Sequence, residues 1–144
     1  MMKQALKIAS ETRGDIPVGA VIVRAGEVIA QSSNHREADN DITAHAEILA
    51  IKQACEKIGN WRLDECELYV TLEPCPMCAW AILQTRIKAV YFGAYNPKYG
   101  AFGSVINLAE ISDYKPKIYG GILEDECQTL LNEFWEKKRS SQYQ

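Results

Sequence analysis

The sequence predicts one α/β domain spanning residues 1–144, in which helices cover both faces of a sheet. Two observations carry this prediction. Segments rich in β-branched residues alternate along the chain with segments whose apolar residues recur at helical spacing. At 144 residues and 47% hydrophobic composition, the chain is long enough for one core and too short for two ordinary domains.

The first predicted elements are a helix and a hairpin. Apolar residues at helical spacing over 2–9 predict a helix, and Gly14 is expected to follow its end. The segments Val18–Arg24 and Glu27–Gln31 are rich in β-branched residues and flank Ala25-Gly26. A short connection that contains glycine between two such segments favours a tight hairpin.

The middle of the chain predicts two helices, each followed by a buried strand. We expect Thr43 to cap a helix that runs to about Lys57, and Pro76 to open a helix that runs to about Arg86. Leu68–Leu72 and Ala89–Phe92 are typical of buried strands. The expected buried side of the first of these helices consists of Ile48, Leu49, Ile51 and Ala54.

The last part of the chain predicts short elements and one long helix. A glycine-rich loop over Gly93–Gly103 precedes a short helix expected near Ser104–Glu110, and Lys117–Tyr119 is expected to form the last strand. The final helix has an apolar stripe. Its members are Leu123, Cys127, Leu130, Leu131 and Phe134.

Composition restricts the functional classes. No apolar segment approaches the roughly 20 residues of a membrane span, and residues 1–8 alternate charged and apolar types, unlike a signal peptide. We therefore expect a cytoplasmic protein whose five cysteines are free thiols or metal ligands. The net charge of −3 gives no general attraction to nucleic acid, so a polyanionic partner would need a local basic patch.

The strongest functional signal combines His45 and Glu47 with Cys75 and Cys78. One imidazole and two thiolates are ligands that zinc prefers, and three protein ligands leave the fourth tetrahedral position open for water. Cys75 and Cys78 are three residues apart at a predicted helix start, so they face nearly the same way. The sequence therefore predicts one catalytic Zn2+ per subunit, bound by His45, Cys75 and Cys78.

Glu47 is the predicted catalytic acid and base beside the metal, because reaction with a metal-activated water requires several proton transfers that one carboxyl group can perform. In a regular helix, residues two apart point about 200° away from each other. His45 and Glu47 can therefore converge only if the chain is still entering the helix at His45. Either motif alone would be weak, since Cys-x-x-Cys also occurs in structural zinc sites and redox pairs.

The pattern His-x-Glu followed by Pro-Cys-x-x-Cys resembles the zinc-dependent nucleobase deaminases of the cytidine deaminase-like superfamily. Within it, nearly the whole chain is similar to the tRNA adenosine deaminases. The matching segments are Ile16–Val23, Thr43–Glu47, Leu68–Cys75, Met77–Ala79, Arg86-Ile87, Gly103-Ser104 and Gly121–Cys127. The resemblance implies a three-layer α/β/α sandwich with a five-stranded mixed sheet, a homodimer, and conversion of wobble adenosine to inosine in a tRNA anticodon loop.

The resemblance also assigns substrate contacts. Asn34 matches an asparagine that hydrogen-bonds the flipped base, although a turn-forming asparagine is the alternative. Ile16, Pro17 and Val18 match residues that wall the base pocket, and Ala46 is expected to offer its backbone amide. Implied RNA contacts lie in a loop and at the end of the final helix. They are Asn96, Lys98, Phe134, Trp135, Lys138 and Arg139.

Three departures from the family pattern leave the substrate open. Trp80 stands where the family commonly has glycine, Asn96 replaces a usual aspartate, and Glu136 reverses one charge in a terminal aromatic and basic element. The basic residues of that element can track phosphates, or they can simply complement the helix dipole. The alternatives to a tRNA substrate are a free nucleobase or nucleoside, and a non-catalytic module stabilised by zinc.

Overall fold

The computed structural model describes residues 1–142, so Tyr143 and Gln144 of the predicted 1–144 domain lie outside the described residues. The helices and strands, in chain order, are α1 (Met2–Ser10), β1 (Gly19–Arg24), β2 (Glu27–Ser33), α2 (Ala46–Ile58), β3 (Cys66–Leu72), α3 (Pro76–Gln84), β4 (Ala89–Ala94), β5 (Lys117–Tyr119) and α4 (Glu124–Gln142). Within this range, no helix is both long and apolar enough to cross a membrane.

The five strands form one mixed sheet in the order β2-β1-β3-β4-β5. Strand β1 is antiparallel to both β2 and β3, whereas β3, β4 and β5 run parallel to one another. The β1–β2 turn has positive φ at Ala25 (50°) and Gly26 (78°), the backbone shape whose twist matches that of a hairpin. The predicted hairpin and the predicted mixed sheet are confirmed.

Two helical layers enclose the sheet. Strand β1 is buried on both faces, as its apolar run requires: Ile22 packs in the core under α2 and α3, and Val21 packs in the core under α1 and α4. Buried apolar side chains on both faces are what hold helices against a sheet on each side. The predicted three-layer α/β/α sandwich is confirmed.

The predicted start of α2 was wrong, and the difference shapes the site. Thr43 does not cap the helix, because it lies two residues before the N-cap residue, in a local turn where its N–H and hydroxyl both donate to the Asp41 carboxylate. His45 is the N-cap residue instead, in an extended conformation with φ −79° and ψ 151°. The buried side of α2 also differs from the prediction: Ala46, Glu47, Ala50 and Ala54 are buried, whereas Ile48, Leu49 and Ile51 are only half-buried.

The short helix predicted near Ser104–Glu110 was also misplaced. A one-turn 3₁₀ helix spans Leu108–Ile111, and the Asn107 side chain caps it by accepting a hydrogen bond from the Ala109 N–H. The preceding residues form turns through Gly103, whose φ is +133°. An Asn cap in the middle of the predicted segment therefore delays the start of the helix.

Gly19 is where α1 touches β1, and it provides a test of the packing. A Cβ atom there would lie 2.0 Å from the Ala5 carbonyl oxygen and 2.9 Å from the Ala9 nitrogen. Gly19→Ala should therefore lower the free energy of unfolding by about 3 kcal/mol, measured by urea denaturation. Gly26→Ala is the control, since φ is +78° but nothing lies within 4 Å, and it should cost about 1 kcal/mol. Equal losses would contradict the close approach of α1.

Candidate metal centre and substrate cavity

The candidate site lies where the starts of α2 and α3 meet beyond the carboxyl end of β3. His45 is the N-cap residue of α2, and Cys75 is the N-cap residue of α3. Pro76 follows at the first helical position, where its fixed φ suits the start of a helix. Two helix amino termini therefore face the same region, and their positive partial charge favours thiolates there.

The predicted metal ligands come together. The ligand atoms of His45, Cys75 and Cys78 all lie within 4.8 Å of one another. Nδ1 of His45 is 3.4 Å from the Cys78 Sγ and 3.7 Å from the Cys75 Sγ. A tetrahedral zinc ion with ordinary bond lengths requires nitrogen–sulfur separations of about 3.6 Å. The donor types and their spacing therefore fit zinc.

The N-cap conformation of His45 explains how it shares a site with Glu47. Because the backbone of His45 is extended, its side chain does not follow the helical rotation that would send it away from Glu47. Glu47 occupies the first turn of α2, is 4% exposed and lines the same cavity as His45. The expectation that the chain is still entering the helix at His45 is confirmed, although the cap is His45 itself.

The pKa values of the two thiols are shifted in opposite directions. A hydrogen bond from Cys78 lowers the pKa of Cys75 to about 4. The same contact, with burial as a second cause, raises the pKa of Cys78. The hydrogen bond to Cys75 likewise raises the pKa of His45. Cys75 is thus the more acidic thiol of the pair, and zinc binding by all three donors requires the protons on Cys78 and His45 Nδ1 to leave.

Glu47 has the properties of a group that gains and loses a proton near neutral pH. Burial raises the pKa of its carboxyl to about 7, with the negative charge of the Cys75 thiolate acting in the same direction. A general acid and base works best when its pKa lies near the operating pH. Perturbed carboxyl groups in a cavity are typical of functional sites.

A cavity of about 190 Å³ opens beside the metal ligands. His45, Cys75 and Glu47 form its floor, and Ile16, Val18 and Leu72 supply apolar wall. Its remaining lining is polar or aromatic. These residues are Asp15, Asn34, Arg36, Glu73, Asn96 and Tyr99.

Some of the residues predicted to contact the base line the cavity, and others do not. Ile16, Val18 and Asn34 line the cavity, whereas Pro17 lines a separate groove beside α4. The Ala46 N–H donates to the Asn34 Oδ1 at 2.8 Å, so it is already engaged rather than offered to the cavity.

Asn34 connects three segments of the site. Its Oδ1 accepts from Ala46, and its Nδ2 donates to the Ile16 carbonyl at 3.0 Å. A side-chain amide has two N–H donors and two acceptor lone pairs, so one of each remains. These contacts fix the plane of the amide where it lines the cavity.

The predicted RNA contacts fall into two groups. Asn96 lines the cavity, and Lys98 is exposed beside it with its Nζ 5.3 Å from the Tyr99 ring centroid. The rest lie on α4, outside the cavity lining: Phe134 and Trp135 meet edge to face, and the Lys138 Nζ lies 5.9 Å and 5.6 Å from the two ring centroids. Arg139 is exposed one residue further along α4.

Sequence reasoning missed Asp15, Arg36, Glu73 and Tyr99 as parts of the cavity. Asp15 is buried, and its carboxylate accepts hydrogen bonds from the backbone N–H groups of Glu37 and Ala38. Glu73 is 1% exposed. One signal could have identified it: an acidic residue directly after a buried strand and directly before Pro74-Cys75.

Comparison with known proteins agrees with this arrangement. Residues 1–94 match the cytidine and deoxycytidylate deaminase zinc-binding region. A tRNA-specific adenosine deaminase of Bacillus subtilis (strain 168) is 45% identical over 142 residues, which cover 96% of this chain and 88% of that protein.

Two solved structures extend the comparison. One comes from work on A-to-I editing by tRNA:A34 deaminases; it is 44% identical, has a TM-score of 0.86, and the match covers 90% of this chain and 96% of that one. The guanine deaminase from Bacillus subtilis is 46% identical with a TM-score of 0.63, over 65% of this chain and 62% of that one.

The chain therefore belongs to the cytidine and deoxycytidylate deaminase zinc-binding family. It is a deaminase, a hydrolase that depends on zinc. Two tRNA-specific adenosine deaminases are 45% and 46% identical to it, over 96% and 88% of this chain.

The ligand set provides a test by metal content. Cys78→Ala should remove bound zinc, measured by elemental analysis of the purified protein, because two donors no longer complete the site. Cys66→Ala is the matched control: it removes a buried thiol at the start of β3, in the core, and should keep one zinc per chain. Equal zinc content in the two variants would contradict the assigned ligands.

Proposed function

We propose that this protein converts the wobble adenosine of a tRNA anticodon loop to inosine. The observation that carries the chemistry is the buried Glu47 carboxyl group beside the His45, Cys75 and Cys78 donor set. The substrate class is supported by the similarity of almost the entire chain to tRNA-specific adenosine deaminases. The reaction adds one water to adenosine and releases ammonia.

Zinc bound by three protein donors supplies a Lewis acid that brings the pKa of water close to neutral. His45, Cys75 and Cys78 would hold the metal beside the cavity, and the helix amino termini would stabilise both thiolates. Glu47 takes a proton from water and delivers it to the ring nitrogen next to the reacting carbon. It then takes the second proton of that water from the hydroxyl group now bonded to the carbon and gives it to the amine, which leaves as ammonia. Its pKa of about 7 suits transfer in both directions.

The cavity is suited to a base rather than to a phosphate. Three acidic side chains, Asp15, Glu47 and Glu73, line it against one guanidinium, that of Arg36, and this excess of acidic groups disfavours an anion. A base inside a folded loop must leave its stack to reach such a cavity. Asn34 has one N–H and one lone pair left for the edge of a purine, and Ile16 and Val18 form the apolar wall beside it.

Cations at the edge of the cavity and outside it are placed to meet the RNA backbone. Arg36 lines the cavity and Lys98 lies beside it, whereas Lys138 and Arg139 extend along α4 next to Phe134 and Trp135. Aromatic rings with nearby cations can stack on unpaired bases and contact phosphates together. This local basic surface is compatible with a chain whose net charge is −3.

We further propose one domain over residues 1–144, a cytoplasmic location set by the tRNA substrate, and a homodimer. Met77 and Trp80 lie three residues apart on the same side of α3 and are both exposed, so they offer an apolar contact to a second copy of the chain. Trp80 does not line the cavity, so this departure from the family pattern concerns the surface of α3.

A free base is the second candidate substrate, and one observation favours it. The similarity to the guanine deaminase of Bacillus subtilis reaches 46% identity over the matched region. The cavity of about 190 Å³ accommodates the reacting ring without requiring the rest of a nucleotide. The covered share is smaller than for the tRNA-specific relatives, so the tRNA substrate is the conclusion.

Glu47 provides the test of the chemistry. Glu47→Gln preserves shape but removes the ionisable group, so turnover should fall by about 10²- to 10⁴-fold while zinc content stays at one per chain. Turnover is measured by ammonia release, and zinc by elemental analysis. Glu56→Gln, exposed on the same helix, should behave as the unsubstituted protein. Activity that survives in Glu47→Gln would disprove the proton-transfer role.

The substrate is tested by comparing an anticodon stem-loop with free bases at equal concentration. We expect inosine at the wobble position only, detected by sequencing, and affinity for the stem-loop whose logarithm falls linearly with the logarithm of salt concentration. A stem-loop with guanosine at the wobble position serves as the matched control. Ammonia released from guanine or cytosine, without inosine in RNA, would favour the free-base alternative.

A further inference from the structure

Glu73 is a buried carboxylate that the proposed chemistry does not use. It follows β3 directly, and its side chain points into the loop formed by residues 95–104, here called the cavity loop. Its Oε1 accepts from the Asn96 N–H at 3.1 Å and from the Ser104 hydroxyl. Its Oε2 accepts from the N–H groups of Phe102 and Ser104, each at 3.1 Å.

The cavity loop is built around this carboxylate. A Cβ atom on Gly100 would lie 2.5 Å from the Glu73 Cδ and 2.6 Å from its Oε1, so the loop backbone passes as close as a glycine allows. The cavity loop has no acidic side chain of its own, since residues 95–104 contain neither Asp nor Glu. Its backbone N–H groups therefore converge on a carboxylate that lies outside the loop, on the sheet.

The segment of the cavity loop that Glu73 holds also lines the substrate cavity. Asn96 donates its N–H to Glu73, and its Oδ1 accepts from the N–H groups of Lys98 and Tyr99, which fixes the turn between them. Asn96 and Tyr99 both line the cavity. Hydrogen bonds therefore connect Glu73 to Asn96, and Asn96 to the backbone N–H of Tyr99, whose side chain is exposed.

We propose that Glu73 is a positioning residue that sets substrate affinity by holding Asn96 and Tyr99 in the cavity wall. This proposal rests on the proposed function, because it assumes that the substrate base occupies this cavity. The reacting groups, by contrast, stand on the starts of α2 and α3. Losing the Glu73 contacts therefore weakens ground-state and transition-state binding alike, a change that appears in KM rather than in kcat.

The test replaces Glu73 with glutamine in the zinc-loaded protein. Glu73→Gln keeps the shape but turns one acceptor into an N–H donor that faces backbone N–H donors. We expect KM for the anticodon stem-loop to rise about tenfold and kcat to stay within about twofold, with one zinc per chain. Hydrogen exchange of the Asn96, Phe102 and Ser104 amides should become faster in the same variant.

Matched variants separate this role from a general loss of stability. Glu65→Gln removes an exposed carboxylate at the opposite end of β3 and should leave KM and exchange unchanged. Ser104→Ala removes only the hydroxyl contact and should raise KM by about threefold, which keeps the proposal testable if Glu73→Gln does not fold. Tyr99→Ala should raise KM without accelerating the exchange of the Phe102 amide.

The outcomes distinguish this proposal from the proposed function. Faster amide exchange with an unchanged KM in Glu73→Gln would overturn the positioning role and leave the tRNA substrate intact. A fall in kcat with unchanged KM would also overturn it. If the unsubstituted protein forms no inosine in the stem-loop, the proposed function fails, whereas the exchange measurement still reports whether Glu73 holds the loop.

Discussion

The extended backbone at the residues that precede α2 and α3 is the constraint on which the rest of the site depends. His45 and Cys75 are both N-cap residues, and each has a ψ angle far from the helical value. Their side chains can therefore turn inward while the next residues already form helices. If either helix began one residue earlier, a ligand would rotate away from the metal position and the donor set would separate.

The close packing of α2 on the sheet extends this constraint to Glu47. The buried side of α2 contains Ala46, Ala50 and Ala54, whose small side chains let the helix lie close to the strands. Because the helix lies close to the sheet, water is excluded from the first turn of α2, and this burial raises the pKa of Glu47. A buried carboxyl group destabilises the fold, and the apolar core beneath it offsets that cost. The same packing thus produces both the exclusion of water and the proton affinity that the reaction uses.

Structural features that depend on local sequence patterns were mostly predicted correctly, whereas some features that depend on contacts between distant residues were not. The strands and the hairpin turn follow from β-branched runs and from Ala25-Gly26, which are local features. His45 lies 30 or more residues from the cysteine ligands, but the metal ligands could be predicted because His45 and the Cys75–Cys78 pair are ligand types with a recognisable joint pattern. The cap of α2 was mispredicted because Asp41 holds Thr43 in a turn that ends before the helix begins at Ala46. The role of Glu73 could not be predicted, because its partners lie more than twenty residues further along the chain and are mostly backbone N–H groups without a side-chain signature.

The distribution of charge resolves the conflict between an acidic chain and a polyanionic substrate. Asp15, Glu47 and Glu73 line the cavity with one guanidinium, that of Arg36, whereas Lys98, Lys138 and Arg139 are exposed and do not line it. Coulomb interactions act most strongly at short range in a site with little water, so this excess of carboxyl groups makes the cavity less favourable for a phosphate than the surface that carries the exposed cations. A neutral base can enter while its phosphates stay outside. An acidic interior and a net charge of −3 therefore favour the entry of a single extruded base over the entry of the backbone that carries it.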